Sequence, residues 1–218
     1  AASADGGGVV WVAEGVYQGT TDPIVTLAPD VSVYGGFSGV ETERGQRDGK
    51  THETRLEGQF KRRCVLGAGD SVFDGFVVAH GKTTNRGGGL YNNNGPRAVV
   101  SHCVFFENLA GGGGGFDTET YSTVSDCIFV GNRAGGGGGA YANISSTFSN
   151  CIFLNNVVSG SGGGLYSYGS PDTVQNSVFC GNTAKNGGGL YSYNSCSVVN
   201  CTFSDNTAIN GDSMYYCN

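Results

Sequence analysis

From Gly87 onward, apolar residues occur in short runs separated by glycine-rich and polar stretches, and this pattern recurs about every 25 residues. Within each run every second position is apolar, which is the period of a β-strand and not that of a helix. Five successive units carry a glycine triplet and then a Phe that is followed three residues later by an Asn. Repeats of this length predict a solenoid in which each unit forms one turn.

Residue types recur in columns when the units are aligned. A Cys usually stands two residues before the Phe, so both side chains point to the same face of a strand. Stacked turns lie about 4.8 Å apart, and each column then becomes a ladder. We predict a Phe ladder in the core and an Asn ladder that bonds the backbone at a bend. The predicted core-ladder residues are Phe105, Phe129, Phe153, Phe179, Phe203, Asn108, Asn132, Asn156, Asn182 and Asn206.

The first 86 residues follow the repeat less regularly and carry most of the charged side chains. Residues 74–78 match the Cys-x-Phe strand, and we expect Phe76 to begin the Phe ladder. The polar segment 45–54 predicts a protruding charged loop. We therefore predict one all-β domain over residues 1–218, with irregular turns to residue 86 and regular glycine-rich turns over residues 87–218.

Two groups of motifs resemble known proteins. The segment WVAEGVY from Trp11, the segment VYGGFSGVE from Val33, and Arg47 resemble the opening of large secreted bacterial β-helix proteins. The Gly-Gly-Gly-Leu-Tyr and Cys-x-Phe-x-x-Asn units are similar to the repeats of polymorphic outer-membrane proteins and related adhesins. The resemblance implies a right-handed parallel β-helix that is secreted or displayed at the cell surface. That superfamily includes lyases, hydrolases, adhesins and scaffolds, so the resemblance implies no single activity.

Composition narrows the possible partners. The formal net charge is −6 and Gly accounts for 40 of the 218 residues. The short basic run Lys61-Arg62-Arg63 is interpreted as a solvated loop, so we expect no nucleic-acid partner. No apolar stretch approaches the ~20 residues of a membrane span. No metal-ligand spacing or cofactor motif stands out, and we expect neither a metal nor a cofactor.

The acidic pair Asp117 and Glu119 is the best candidate for chemistry in the repeats. The two residues stand two apart on one strand, so we expect both to face solvent. A polysaccharide lyase or hydrolase would need such clustered carboxylates on an outer face. Ordinary solvated surface acids explain the pair as well, and we predict a non-catalytic structural or adhesive protein. The alternative is a carbohydrate-binding or carbohydrate-cleaving β-helix.

Tyrosines form a predicted outer row. Exposed Tyr can stack on sugars or anchor protein partners, whereas a cross-strand aromatic ladder can also simply stabilise its sheet. Together with the acidic pair, the candidate glycan or partner contacts are Tyr166, Tyr168, Tyr191 and Tyr193.

A second outer row is apolar. Alternation places these side chains opposite the Phe ladder, and a stripe two residues wide is larger than scattered surface hydrophobics. The stripe is either a protein interface or a surface covered by the N-terminal segment or a loop. Its candidate residues are Val104, Phe106, Ile128, Val130, Ile152, Leu154 and Val178.

Cysteines and terminal strands give two further expectations. Stacked Cys103, Cys127 and Cys151 are close enough for disulfides, but inward stacking favours buried thiols. Cys196 and Cys217 could form a disulfide that joins the last turns.

The strand pattern runs from Val9 to Met214, Tyr215 and Tyr216 without a polar cap. Because open strand edges template pairing, we expect copies to join head-to-tail into a filament. A trimmed chain, or a cap formed by residues 45–54, would account for the same pattern.

Overall fold

The structure, a computed structural model, describes residues 7–93, 95, 97–169 and 171–216. Each turn of the chain contributes a short strand to each of three sheets, and successive turns pair in parallel. Parallel crossovers of this kind are right-handed. The structure therefore confirms the predicted all-β, right-handed parallel β-helix.

Within the described residues, three eight-stranded sheets form the faces of the solenoid. Sheet A contains Gly8–Ala13, Val31–Phe37, Val72–Asp74, Ala98–Ser101, Ser122–Ser125, Thr147–Ser149, Asp172–Gln175 and Cys196–Val199. Sheet B contains Gly15–Tyr17, Thr54–Glu57, Phe76–Ala79, Val104–Phe106, Ile128–Val130, Ile152–Leu154, Val178–Cys180 and Thr202–Ser204. Sheet C contains Val25–Thr26, Val65–Leu66, Leu90–Asn92, Phe116–Thr118, Ala140–Ala142, Leu165–Ser167, Leu190–Ser192 and Met214–Tyr216.

A fourth, four-stranded sheet joins the later turns between sheets B and C. Sheet D contains Arg133–Ala134, Val157–Val158, Thr183–Asn186 and Thr207–Asn210. A short 3-10 helix, Arg44–Gln46, forms at the start of the predicted charged loop. The irregular first 86 residues supply strands to sheets A, B and C, so the same three faces continue from the first described turn to the last.

A stack of phenylalanine rings fills the interior. In sheet B each ring pairs in register with the next, from Phe105 through Phe153 to Phe203. Neighbouring ring centroids lie 4.5–5.0 Å apart, with interplanar angles of 4–7°. The rings up to Phe179 are fully buried and Phe203 is partly buried. The structure thus places the five predicted Phe residues on the inner face.

The lower end of this stack, which is the end nearer the N-terminus, differs from the prediction. Phe105 pairs with Val78, so Val78 and not Phe76 occupies the turn below Phe105. Phe76 stands two residues earlier, in the column that Cys103 occupies one turn above, and its ring stacks on Phe73 at 4.3 Å. The prediction was wrong because both alternate positions of this strand are apolar, and only the pairing register assigns each to its column.

The asparagine ladder closes the bend after sheet B. The Oδ1 of Asn132 accepts hydrogen bonds from the backbone N–H and the Nδ2 of Asn108, at 2.9 and 3.0 Å. The Nδ2 of Asn132 donates to the carbonyl of Phe105 at 2.9 Å and to Oδ1 of Asn156 at 3.0 Å. The pattern repeats from turn to turn up to Asn206. Each buried amide is satisfied by its neighbours, so the ladder links the turns without orphaned polar atoms.

Cysteines occupy the inner column beside the Phe stack. Cys103, Cys127 and Cys151 are buried, and the cysteines that the structure describes are free thiols. Their Sγ atoms lie 3.1–3.3 Å from the carbonyl oxygen two residues earlier. Burial raises the pKa of Cys151 to about 12, so this thiol stays protonated at neutral pH. Cys196 is partly buried, and its predicted partner Cys217 lies outside the described residues, so that disulfide stays a prediction.

Glycine at the corner before sheet C permits a close approach of two backbone segments. Gly87, Gly113 and Gly137 have φ angles of 64°, 55° and 63°, in the left-handed region. A Cβ atom added at Gly113 would lie 2.5 Å from the Cβ of Asp117. Both the backbone conformation and the contact distance therefore require glycine at this corner.

Replacing Phe153 by Ala tests the ring stack. Phe153 is fully buried and lies 4.8 Å from the Phe129 ring and 4.5 Å from the Phe179 ring. The cavity should lower the free energy of unfolding by about 3–5 kcal/mol, measured by denaturant unfolding. The control is Ile152→Ala on the same strand, whose side chain is 39% exposed and should cost only about 1–2 kcal/mol. Equal losses in the two variants would contradict the assignment of inner and outer faces.

Candidate functional site

The outer face of sheet C carries two columns of aromatic and polar side chains. Inward residues of its strands, such as Leu90, Phe116 and Leu165, are buried, so the next residue of each strand points outward. Column 1 consists of Leu66, Tyr91, Asp117, Tyr141, Tyr166, Tyr191 and Tyr215. Column 2, two residues further along each turn, consists of Asn93, Glu119, Asn143, Tyr168 and Tyr193. We call the two columns together the aromatic face.

The upper tyrosine rings of column 1 stack on one another. Ring centroids are 4.7 Å apart for Tyr141 and Tyr166, and 4.8 Å apart for Tyr166 and Tyr191. Tyr215 continues the stack at 5.6 Å from Tyr191. Stacked rings cover one another's faces and turn their edges outward, and Tyr191 is only 8% exposed. The expectation that Tyr191 is exposed and offers a ring face to a sugar is therefore wrong.

Column 2 is more accessible. Tyr168 and Tyr193 are 40% and 45% exposed, and their ring centroids lie 4.9 Å apart. The Nδ2 of Asn194 donates to the carbonyl of Tyr168 at 2.7 Å, which helps to hold the turn that carries this tyrosine. Among the predicted contact tyrosines, this pair presents the most surface to a ligand.

Asp117 takes the place of a tyrosine in column 1, between Tyr91 and Tyr141. We expected a solvent-facing carboxylate, but the side chain is fully buried. The strand directs the Asp117 side chain outward, as expected. The side chain is nevertheless covered by Tyr91 and Tyr141 in the same column, by Arg86, and by the glycine corner at Gly113. Burial has the largest effect on this carboxyl group and raises the pKa of Asp117 to about 7, although the positive charge of Arg86 acts to lower it. Glu119 remains about one-third exposed, with a side-chain exposure of 35%.

Arg86 connects the acidic pair to the tyrosines. Its Nε donates to Oδ2 of Asp117 at 3.1 Å, and its Nη1 donates to Oε1 of Glu119. Its guanidinium carbon lies 4.3 Å from the ring centroid of Tyr141, within cation–π range. Burial works against its charge, yet the two carboxylates raise the pKa of Arg86. One guanidinium therefore holds both carboxylates.

Arg63 lies at the lower end of the aromatic face. Its Nε donates to the carbonyl of Gly87 at 2.9 Å, and its Nη2 donates to the carbonyl of Arg86 at 2.8 Å. Its guanidinium carbon lies 5.1 Å from the ring centroid of Tyr91. An open groove beside it is lined by Arg63, Leu66, Asn85, Arg86, Tyr91 and Asn93.

The predicted apolar stripe lies on the outer face of sheet B. Ile128, Ile152 and Val178 are 36–39% exposed, and the other members are partly buried, namely Val104, Phe106, Val130 and Leu154. The charged loop borders the lower end, where Lys50, Val104 and Ile128 line one groove. The loop residues lining that groove adjoin only the lower turns of the stripe, and Ile152 and Val178 stay exposed beyond it.

The remaining candidate interface residues form the last described strand of sheet C. Met214 points inward and packs against the core. Tyr215 and Tyr216 are 36% and 42% exposed, and Tyr215 completes column 1.

His80 and Asp74 each make ion pairs that link the early turns. The Nδ1 of His80 lies 2.8 Å from Glu57. Asp74 lies 2.5 Å from Arg47 of the charged loop and 3.1 Å from His102. Within the described residues, no group of three or more His, Cys, Asp or Glu side chains could hold a metal ion. No helix in this same part of the chain has the length and hydropathy needed to cross a membrane.

The sequence pattern did not indicate either arginine as part of a site. The basic run at residues 61–63 predicts a solvated loop, whereas the guanidinium of Arg63 is fixed by two carbonyls and a ring. Arg63 and Arg86 each stand a few residues before a sheet C strand, namely Val65–Leu66 and Leu90–Asn92. Aligning the irregular early turns on the regular ones would have placed both arginines beside column 1.

Comparison with known proteins identifies two matches. Residues 65–179 match the family model described as right handed beta helix region. Residues 176–193 match the Chlamydia polymorphic membrane protein repeat. No curated protein and no solved structure compared with the chain gives a significant match.

Asp117→Asn should alter the pH dependence of stability. An unfolded Asp loses its proton near pH 4, whereas burial raises the pKa of folded Asp117 to about 7. Between these values the folded state binds more protons, so the free energy of unfolding falls as pH rises and then levels off above about pH 7. Denaturant melts at about pH 5 and about pH 8 measure how much the free energy of unfolding changes with pH. In the variant this change should be smaller, because the contribution of Asp117 is lost.

Asp30→Asn is the matched control, because Asp30 is an exposed acid at a left-handed turn position that Asn tolerates. This variant retains Asp117, so it should keep the pH-dependent slope that the Asp117 carboxyl group produces. The same slope in both variants would show that Asp117 does not titrate in this range.

Proposed function

We propose that this chain, which belongs to the right-handed β-helix family, is a non-catalytic cell-surface protein that adheres to carbohydrate through the aromatic face. The observation that carries the proposal is the exposed tyrosine pair of column 2, Tyr168 and Tyr193. Tyrosine combines an apolar ring with a hydroxyl that hydrogen-bonds, which suits sugar surfaces. Both tyrosines directly follow strands of sheet C and their rings stack on each other, so binding would immobilise few additional bonds.

Binding without cleavage is supported by the state of the acidic pair. A general acid or base must reach the bond that it protonates or deprotonates. Asp117 is fully buried, and Arg86 holds both Asp117 and Glu119. A saccharide on the aromatic face would meet Glu119 only in its ion-paired form.

Display at the cell surface is supported by the repeat comparison. Residues 176–193, which include Tyr191 and Tyr193, match the Chlamydia polymorphic membrane protein repeat. The name of that repeat associates one turn of the aromatic face with a class of membrane proteins.

The test is a binding and cleavage screen against neutral and acidic glycans. We expect at least one glycan to bind, with no release of reducing or unsaturated ends at ordinary enzyme concentration. The double variant Tyr168→Ala/Tyr193→Ala should weaken binding about ten-fold, since each aromatic contact contributes roughly 0.5–1.5 kcal/mol. The control is Tyr17→Ala, a 38% exposed tyrosine on sheet B. Glycan cleavage would contradict the non-catalytic proposal, and failure to bind any glycan would contradict the adhesive one.

We also propose that copies associate end to end. Val10 and Trp11 in the first described strand of sheet A are 45% and 39% exposed. In the last described turn, Val199 and Ile209 are 54% and 78% exposed. Exposed apolar residues at both ends of the described solenoid support a head-to-tail contact, which propagates into a filament instead of closing.

Ile209→Lys tests this association. Light scattering at increasing concentration should show growing assemblies of the unmodified protein and mainly monomers of the variant, because a charge would be buried at the contact. Val157→Lys introduces the same charge in the middle of sheet D, at a side chain that is 37% exposed, and should assemble normally. A strictly monomeric unmodified protein at high concentration would refute end-to-end assembly.

A further inference from the structure

The groove at the lower end of the aromatic face contains an arginine that has no carboxylate ion-pair partner among the described residues. The ion pairs among the described residues engage Arg47, Arg55, Arg86 and Arg97, and none includes Arg63. The nearby Asp22 carboxylate accepts a hydrogen bond from the backbone N–H of Arg63, at 3.0 Å. The charge of Arg63 is therefore available to a ligand, although it also acts at longer range on Asp117.

The guanidinium of Arg63 is held in place before any ligand arrives. Two of its five N–H donors are used by the carbonyls of Gly87 and Arg86, which leaves three N–H groups. The ring of Tyr91 lies 5.1 Å from its central carbon and restricts the plane of the guanidinium. Because the side chain is already ordered, binding would cost little rotamer entropy.

The groove around this guanidinium has room and suitable neighbours for a sugar. Its volume is about 500 Å³. The exposed side chains of Asn85 and Asn93 offer amides, while Leu66 and Tyr91 offer apolar surface. Leu66 and Tyr91 belong to column 1 and Asn93 to column 2, so the groove continues directly into the aromatic face.

Because the chain as a whole is negatively charged, binding of an anion at this groove would indicate a specific site. The formal net charge is −6, so anions are repelled in general. A planar fork of N–H donors matches a carboxylate in bidentate fashion and also binds the oxygens of a sulfate. An anion that binds here must therefore be recognised locally; Arg86 in the same groove is already paired with Asp117 and Glu119, which leaves Arg63 for the anion.

We propose that the Arg63 groove is a subsite for a carboxylate or sulfate group carried by the saccharide that binds the aromatic face. This inference rests on the proposed adhesive function and specifies its ligand class as an acidic glycan. The anionic group pairs with the remaining N–H donors of Arg63, the amides of Asn85 and Asn93 bond sugar hydroxyls, and the neighbouring sugars extend along column 2.

The test uses three oligosaccharides with one backbone: the neutral form, the form oxidised at its primary hydroxyls to the uronate, and the form sulfated at those hydroxyls. Isothermal titration at low salt should show at least about ten-fold tighter binding of one or both charged forms, the size of a charge-assisted hydrogen bond. The uronate and sulfate arms decide which anion the groove prefers. Raising the salt concentration should reduce the preference only partly, because the contact is local.

Arg63→Gln should abolish the preference for the charged form and leave binding of the neutral form unchanged. Arg63→Lys keeps the charge but not the fork, so it should retain only part of the preference. Arg133→Gln is the matched control, since Arg133 is exposed, lies on sheet D and has no carboxylate partner among the described residues. Circular dichroism and thermal melts verify that each variant folds, and Asn93→Ala provides a second test of the groove should Arg63→Gln unfold.

Three results would overturn the inference. Equal binding of neutral and charged forms would refute the anion subsite while leaving carbohydrate adhesion intact. Equal losses in Arg63→Gln and Arg133→Gln would show that net charge, and not a site, attracts the ligand. Failure of every oligosaccharide to bind would refute both the subsite and the proposed function.

Discussion

The structure depends on one constraint: each turn must hydrogen-bond to the next in register, at the spacing of neighbouring β-strands. The asparagine ladder enforces it at the bend after sheet B, because every buried amide from Asn108 to Asn182 needs the next turn to be satisfied. The glycine corners permit it just before sheet C, where Gly113 comes too close to Asp117 for any side chain. A residue type that recurs in sequence is thereby converted into a stack in space.

The same constraint determines what the outer surface can offer. In register, the rings of column 1 cover one another's faces, and Tyr191 becomes nearly inaccessible although its strand points it outward. An outward residue is also buried when its neighbours are bulky, as Asp117 shows. Its burial outweighs the attraction of Arg86 and raises its pKa to about 7. Column 1 of the aromatic face therefore presents tyrosine ring edges and hydroxyl groups to solvent, and the Asp117 carboxyl group lies buried among them.

These features favour recognition over chemistry. The tyrosines of column 2 directly follow strands of sheet C and stack on each other, and Arg63 is ordered by two backbone carbonyls. The carboxylates that a hydrolase would use are instead held by Arg86. The apolar stripe on sheet B lies on a different face, so a protein contact there would leave the aromatic face open to a saccharide.

The sequence by itself determined the solenoid, its repeat length, and the identity of the Phe and Asn ladders, because a period-two pattern repeated about every 25 residues leaves few other ways to bury its apolar positions. It also indicated correctly which face of each regular strand is inward. Only the tertiary structure decided three matters: the column that Phe76 occupies, the burial of Asp117, and the meeting of Arg63 with Tyr91. Each depends on which residue of one turn lies beside which residue of the next. That register is set by turn lengths and contacts between distant segments, which the pattern within a single strand does not contain.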